Sequence, residues 1–207
     1  MTHVALLAAL ALAAPQEEGW ISLFNGKDFT GWKVNENPKS ARVEDGKIVC
    51  NGERAHVFYV GEAGKHDFKN FEFKAEVLCK PNSNSGIYFH TAFQEKGWPE
   101  KGFEAQVCAA TYTKDPKKTG GLYAIKDVAE CPVKDDEWFE YHILVKGKKV
   151  ELRINGKTTA EWTQPDDWKP PRGMAGRVLS SGTFALQCHD PGSTVWFRNL
   201  RVKPLPD

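Results

Sequence analysis

Val150-Glu151-Leu152-Arg153-Ile154, then Asn155-Gly156, then Lys157-Thr158-Thr159-Ala160, is the stretch that decides the fold. The first run alternates apolar and polar side chains with period two, as a strand with one buried face requires. Asn-Gly follows at once, and that pair readily takes the two left-handed backbone positions of a tight hairpin turn. Similar short runs lie on either side: 19–26, ending in Asn25-Gly26, then 47–50, 71–79, 86–91, 103–109, 141–145, 183–189 and 195–202. No stretch sustains a helical apolar stripe for three turns. Many short strands with almost no helix predict an all-β sandwich or closed barrel, and period alone does not choose between them. Segments 95–102, 111–121 and 163–182 are rich in Lys, Pro and Gly, so they read as long loops rimming a sheet, where function concentrates.

The chain has 207 residues, 41% of them hydrophobic, enough for one full-sized core and hence one domain. Lys+Arg 28 against Asp+Glu 27 gives a net charge of +1, too small a field to draw nucleic acid or an anionic membrane. An apolar run ends in Ala11-Leu12-Ala13 and predicts a signal peptide over 1–13, a leader over 14–18 and the folded domain over 19–207. The expected localisation is secreted or periplasmic; because Met1-Thr2-His3 carries no Lys or Arg, an N-terminal anchor or a misassigned start is the alternative. The run is shorter than the about 20 apolar residues of a membrane span. Cys50, Cys79, Cys108, Cys131 and Cys188 are odd in number and contain no CxxC, so they read mainly as structural core thiols with room for one disulfide.

Strand parity then groups the polar residues. In Phe103-Glu104-Ala105-Gln106-Val107, burying Phe103, Ala105 and Val107 leaves Glu104 and Gln106 together on the other face. The same logic pairs Gln187 with His189 and Tyr88 with His90. A solvated outer face explains any one pair. Three strands presenting Glu, Gln, His and Tyr make a site if they converge on one concave sheet, because these groups hold and deprotonate sugars. His56 and His66, in loop-like sequence, and His142, in a strand, read as surface or packed histidines. Trp138, Trp162 and Trp196 read as packing, and Trp98 and Trp168 as stacking candidates in polar loops.

Several motifs resemble one family. Trp20 to Trp32, with Leu23-Phe24-Asn25-Gly26 and Gly31-Trp32, is similar to the opening signature of the 3-keto-disaccharide hydrolase family. Asn84-Ser85-Gly86-Ile87-Tyr88-Phe89, Phe103-Glu104-Ala105-Gln106, Thr119-Gly120-Gly121-Leu122-Tyr123, Glu137-Trp138 and Ile154-Asn155-Gly156 resemble its internal elements. The closing 182–205, with Leu186-Gln187, His189 and Phe197-Arg198-Asn199-Leu200, resembles its ending. The motifs run in family order over nearly all of 19–207.

The resemblance implies a concanavalin A-like jelly roll of two antiparallel sheets that cleaves glycosides already oxidised at sugar C3. A C3 ketone acidifies the C2 hydrogen; a base removes it, the enolate expels the C1 substituent and water adds back. On this reading Glu104 and His189 are the acid/base pair, Gln106 and Gln187 orient hydroxyls, and Tyr88 or Trp98 stacks on a ring. The partner is a saccharide or oxidised glycoside. The enolate could be held by a divalent metal ion, for which Glu104, His90 and His189 are the ligand set. The chain departs from the family at His90, where relatives commonly carry Arg, and at Val107-Cys108-Ala109, where many carry Asp. The alternatives are a carbohydrate-binding module using the same face and a cell-surface interaction domain needing only the sandwich.

Overall fold

The computed structural model describes residues 18–207; the expected signal peptide and all but the last residue of the leader lie outside the described residues. The strands, in chain order, are β1 (Ile21–Ser22), β2 (Trp32–Val34), β3 (Ala41–Glu44), β4 (Lys47–Cys50), β5 (Ala55–Tyr59), β6 (Phe71–Cys79), β7 (Asn84–Thr91), β8 (Phe103–Cys108), β9 (Trp138–Lys146), β10 (Lys149–Ile154), β11 (Lys157–Thr163), β12 (Thr183–Cys188) and β13 (Val195–Pro204). They form two antiparallel sheets, β11-β10-β9-β6-β13-β4-β3 with β1 also on β13, and β2-β5-β12-β7-β8. Among the described residues no helix is long and apolar enough to cross a membrane.

The β10–β11 hairpin forms as its sequence predicts. Ile154 pairs with Lys157, and Asn155 and Gly156 take φ of 49° and 76° between them. The two sheets pack through aromatic side chains of alternating parity. Phe184 of β12 meets Phe71 and Phe73 of β6 at ring-centroid distances of 5.0 and 4.6 Å. Tyr141 of β9 crosses the core and donates its hydroxyl to the Gln106 carbonyl at 3.2 Å. All five cysteines are free thiols, four of them buried, so the disulfide for which the sequence had room is not formed.

The sequence differs from the structure in both sheets. The strand expected over 19–26 shrinks to Ile21–Ser22, because Leu23 turns its amide to the Leu200 carbonyl and its own carbonyl to the Trp32 indole. β2, β3 and β5 form where no strand was expected. Ala55-His56-Val57-Phe58-Tyr59 shows no alternation because both its faces are buried, one on the core and the other beneath the rim loops. His56 is therefore a strand residue and not a loop residue. β7, β8 and β12 are buried on both faces in the same way. The loops 95–102, 111–121 and 163–182 cover the outer face of this sheet, and a cavity of about 400 Å³ lies between them.

Candidate active site

The cavity floor is a grid set by strand register. Gln187 of β12 pairs with His56 of β5, Gly86 of β7 with Gln106 of β8, and Tyr88 of β7 with both Ala185 of β12 and Glu104 of β8. Parity therefore brings His56, Gln187, Gln106, Tyr88 and Glu104 to one face. Gly86 is the gap in that grid: a Cβ built there would overlap Glu104 Oε1 and lie 2.9 Å from its Cγ, so the glycine makes the space the carboxyl fills.

Glu104 is buried and fully engaged. Its Oε2 accepts from the Tyr88 hydroxyl at 2.9 Å and its Oε1 from the Gln187 amide at 2.9 Å. The Arg177 guanidinium, itself buried, stands 3.6 Å from Oε2 and lies over the Tyr88 ring at 5.5 Å. Burial pushes the carboxyl above its ordinary value, opposed by Arg177, Tyr88, Gln187 and the charge of His189. Burial likewise drives the Tyr88 hydroxyl well up, with Glu104 reinforcing it. The remaining amide oxygens, Gln106 Oε1 and Gln187 Oε1, are buried with no hydrogen-bond partner within the protein. Such acceptors are costly unless a ligand's donors meet them.

His189 stands at the edge of this floor, just past the end of β12, and lines the cavity with Glu104. Its Nδ1 lies 2.7 Å from Asp190 Oδ2, and the Asp190 carboxylate is held in turn by the Ser193 hydroxyl at 3.0 Å and the Gly192 amide at 2.8 Å. Burial alone would raise the Asp190 carboxyl, but these bonds keep it below its usual range. With Nδ1 so occupied, Nε2 is the ring nitrogen available to the cavity. Trp98, 42% exposed, packs over His189 at 5.3 Å and His56 at 5.6 Å. Its loop is braced beneath: Arg54 lies under the indole at 5.3 Å, and Glu36, paired with Arg54 at 2.9 Å, accepts from the Gly97 amide at 3.0 Å.

His90 does not join this set. Between Tyr88 and Thr91, β7 takes three steps while β12 takes two, from Ala185 to Thr183, and the bulge puts His90 at φ 54°. The expected parity of Tyr88 and His90 is therefore broken. The imidazole bonds the Lys69 carbonyl at 2.8 Å through Nε2, accepts from the Ser180 amide at 3.3 Å through Nδ1, and is held neutral by burial with its pKa at about 4. As both nitrogens are used outside the cavity, the ligand set of Glu104, His90 and His189 is not assembled. Among the described residues no group of three His, Cys, Asp or Glu side chains suits a metal ion. Trp168 is likewise no ring platform: its indole nitrogen donates to the Arg177 carbonyl at 2.7 Å and its ring packs on Trp162.

Several lining residues were not anticipated from the sequence. Arg177 arrives because Gly176 docks on the 100–102 stretch; a Cβ at Gly176 would overlap the Glu100 carbonyl, while Arg177 itself donates to the Gly102 carbonyl at 2.9 Å. Asp115 and Tyr123 close the far wall, with the Tyr123 hydroxyl donating to Asp115 at 3.2 Å. Neither loop position carries a parity signal. Asp190 was legible only as the residue beside His189, since alternation along a strand sends neighbours to opposite faces.

Comparison with known proteins agrees with this architecture. A 3-keto-disaccharide hydrolase of Bacteroides thetaiotaomicron is 27% identical over 91% of this chain and 79% of its own length. A candidate glycosyl hydrolase from Parabacteroides distasonis superposes with a TM-score of 0.77 at 30% identity, covering 91% of this chain and 95% of that one. A Bacillus subtilis protein of galectin-like fold, 12% identical with a TM-score of 0.55 over 84% of this chain and 89% of its own, shares the fold alone. The family described as the 3-keto-alpha-glucoside-1,2-lyase-like domain matches residues 19–203, and the chain belongs to it.

Proposed function

We propose that the protein cleaves 3-keto-α-glucosides, or closely related oxidised saccharides, by elimination across C1–C2 followed by hydration. The observation that supports this reading above others is a buried carboxyl, Glu104, ringed by Tyr88, Gln187 and Arg177 and sharing its cavity with the His189–Asp190 pair. Glu104, made more basic by burial, takes the C2 proton, and the C–H electron pair forms the enolate of the C3 ketone. Arg177 faces the developing C3 oxyanion, while Tyr88, whose one hydroxyl proton goes to Glu104 Oε2, holds the carboxyl in place. As the carbonyl re-forms, the C1=C2 bond forms and the C1–O bond breaks; His189 Nε2–H protonates the departing oxygen, while Asp190 holds the ring and balances its charge. Water then adds at C1 and a proton returns to C2, giving the free 3-keto sugar. Gln106 Oε1 and Gln187 Oε1 accept from the sugar hydroxyls, and Trp98 covers one ring face. No step is assigned to a metal ion, since the donor set does not fit one. Export by the 1–13 signal peptide belongs to the same proposal and would bring the enzyme to extracytoplasmic sugars.

The test is release of alcohol and free 3-keto sugar from a 3-keto-α-glucoside, run in deuterated water so that exchange at C2 is read by mass. The wild-type protein should release both and label C2, and Glu104→Gln and His189→Ala should each lose turnover. Full activity in either variant removes these roles; glycoside binding with no turnover by the wild-type chain would make it a carbohydrate-binding module.

A further inference from the structure

Beside the cavity, three carbonyls of one loop close on a single ammonium group. Lys118 Nζ donates to the carbonyls of Ala109 at 3.4 Å, Asp115 at 3.2 Å and Tyr112, and stands 3.9 Å from Cys108 Sγ. An ammonium carries three N–H groups, so this set uses all of them. The accepting residues recur every third position along the chain, and the Tyr112 amide closes the first turn on the Ala109 carbonyl at 3.1 Å. The stretch 109–115 therefore wraps around the cation. Among the described residues neither the Tyr112 nor the Asp115 carbonyl receives a backbone amide, so the lysine supplies the donors that secondary structure does not. Lys118 is itself fixed from behind: its amide donates to the Val128 carbonyl at 2.7 Å and its carbonyl accepts from the Gly121 amide at 3.3 Å. The neighbouring Lys117 takes no part in the cage, its Nζ lying 3.6 Å from Asp115 Oδ1 and over the Tyr123 ring at 4.7 Å.

We infer that Lys118 is a positioning residue, a tethered cation in a carbonyl cage that shapes the 109–115 loop and acts on the reaction through Tyr112 and His189. Tyr112 is buried and meets His189 edge-on, with ring centroids 6.2 Å apart and planes at 78°. Trp98 covers the same imidazole and Asp190 takes its Nδ1, so Tyr112 is the contact that comes from the loop. Asp115, where the wrap ends, lines the cavity. The cage suits a compact ammonium, whose donors spread from one point, and not the planar fork of a guanidinium. Cutting Lys118 back to Ala removes Cγ, Cδ, Cε and Nζ, and n-propylammonium replaces those atoms one for one. A site for a primary alkylammonium ion is therefore latent in the fold. The inference rests on the proposed reaction for its kinetic readout alone.

The experiment is chemical rescue with two readouts. Lys118→Ala should raise the rate of chymotrypsin cleavage after Tyr112 about tenfold or more, because the loop loses what it wraps. It should lower kcat/KM on a 3-keto-α-glucoside by about tenfold or more through the misplaced imidazole. Adding n-propylammonium chloride at about 0.1 M, above the millimolar effective concentrations of flexible tethers, should reverse most of both changes. Tetramethylammonium chloride, with the same charge and no N–H group, should reverse neither. Unchanged cleavage in Lys118→Ala, no rescue by n-propylammonium, or equal rescue by tetramethylammonium would each overturn the cage. If Lys118→Ala does not fold, Lys118→Met keeps the aliphatic stem and the cleavage rate decides: a rise supports the inference and a wild-type rate removes it. If the wild-type chain does not turn over the glycoside, the proposed reaction fails, and cleavage with and without n-propylammonium decides the cage by itself.

Discussion

The Glu104 carboxyl occupies the space that a side chain at position 86 would need. A methyl group there would overlap Oε1 and press on Cγ, so the carboxyl must swing away from Gln187 and Tyr88 before the strands give. Gly86→Ala should therefore lower kcat on the order of 10²-fold, the scale of an ångström's misplacement of a reacting group, with unchanged far-ultraviolet circular dichroism. Steady-state kinetics on a 3-keto-α-glucoside checks it; wild-type kcat would mean that the carboxyl's position is not critical.

Asp190 acts through His189. Asp190→Asn keeps shape and the possibility of a bond from Ser193, but presents a neutral amide to Nδ1 and no longer balances the charge of the ring that must hold the proton destined for the leaving oxygen. The expected loss in kcat is about 10²-fold or more, with KM little changed, since the substrate does not touch Asp190. Asp190→Glu should recover part of it. A variant that changes KM alone would assign the residue to binding.

Arg177 lowers the Glu104 carboxyl, while burial raises it more. If Glu104 works as a carboxylate, kcat/KM rises with pH through its free-enzyme pKa, and that acid limb lies above the ordinary carboxyl value of 4.5. Arg177→Met removes the opposing charge, so the carboxyl holds its proton to higher pH and the limb moves up. A pH–rate profile of the two proteins decides it: a limb that stays in place uncouples the two residues.

Four of the five thiols are shielded, and the chemistry of each follows from where it packs. Cys50 is raised by its contact with Cys188 and by burial, Cys79 by burial, and Cys108 by burial to about 11, whereas Cys131 is half-exposed. An aromatic disulfide reagent at pH 8 should therefore titrate one thiol quickly in the native protein and all five after unfolding, and Cys131→Ser should abolish the fast phase. Fewer than five in the unfolded protein would reveal a disulfide.

How much of this could be read in advance depends on whether a residue lies in a strand with one partner face. Glu104, Gln106 and Gln187 follow period two, so their common face was legible from Phe103, Ala105, Phe184 and Leu186 alone. His90 was misread because the extra residue of a bulge leaves no mark in the sequence. β5 was missed because burial on both faces erases alternation, and His56 was lost with it. Arg177, Asp115 and Tyr123 come from loops whose paths are set by tertiary docking, such as Gly176 on Glu100, and no local pattern encodes that.

His56 and His90 also set the response of the fold to acid. Burial keeps both neutral, with pKa values of about 3 and about 4, and His56 has no partner for either ring nitrogen. In the unfolded chain both titrate near 6.5, so between that pH and about 4 the unfolded state binds protons that the native state refuses. Stability is therefore unaffected by these groups above about pH 7 and falls as pH drops below 6.5, by about 1.4 kcal/mol per pH unit for each fully engaged histidine. His142, lowered by burial against the pull of Glu72, acts in the same direction. Urea unfolding midpoints from pH 7 to 4 should decline steadily, and His56→Leu, which cannot take a proton in either state, should shallow that decline by about one histidine's slope. An unchanged slope in His56→Leu would mean that the imidazole finds a hydrogen-bonded, protonated state in the folded protein, and the neutral wall beneath Trp98 would have to be reconsidered.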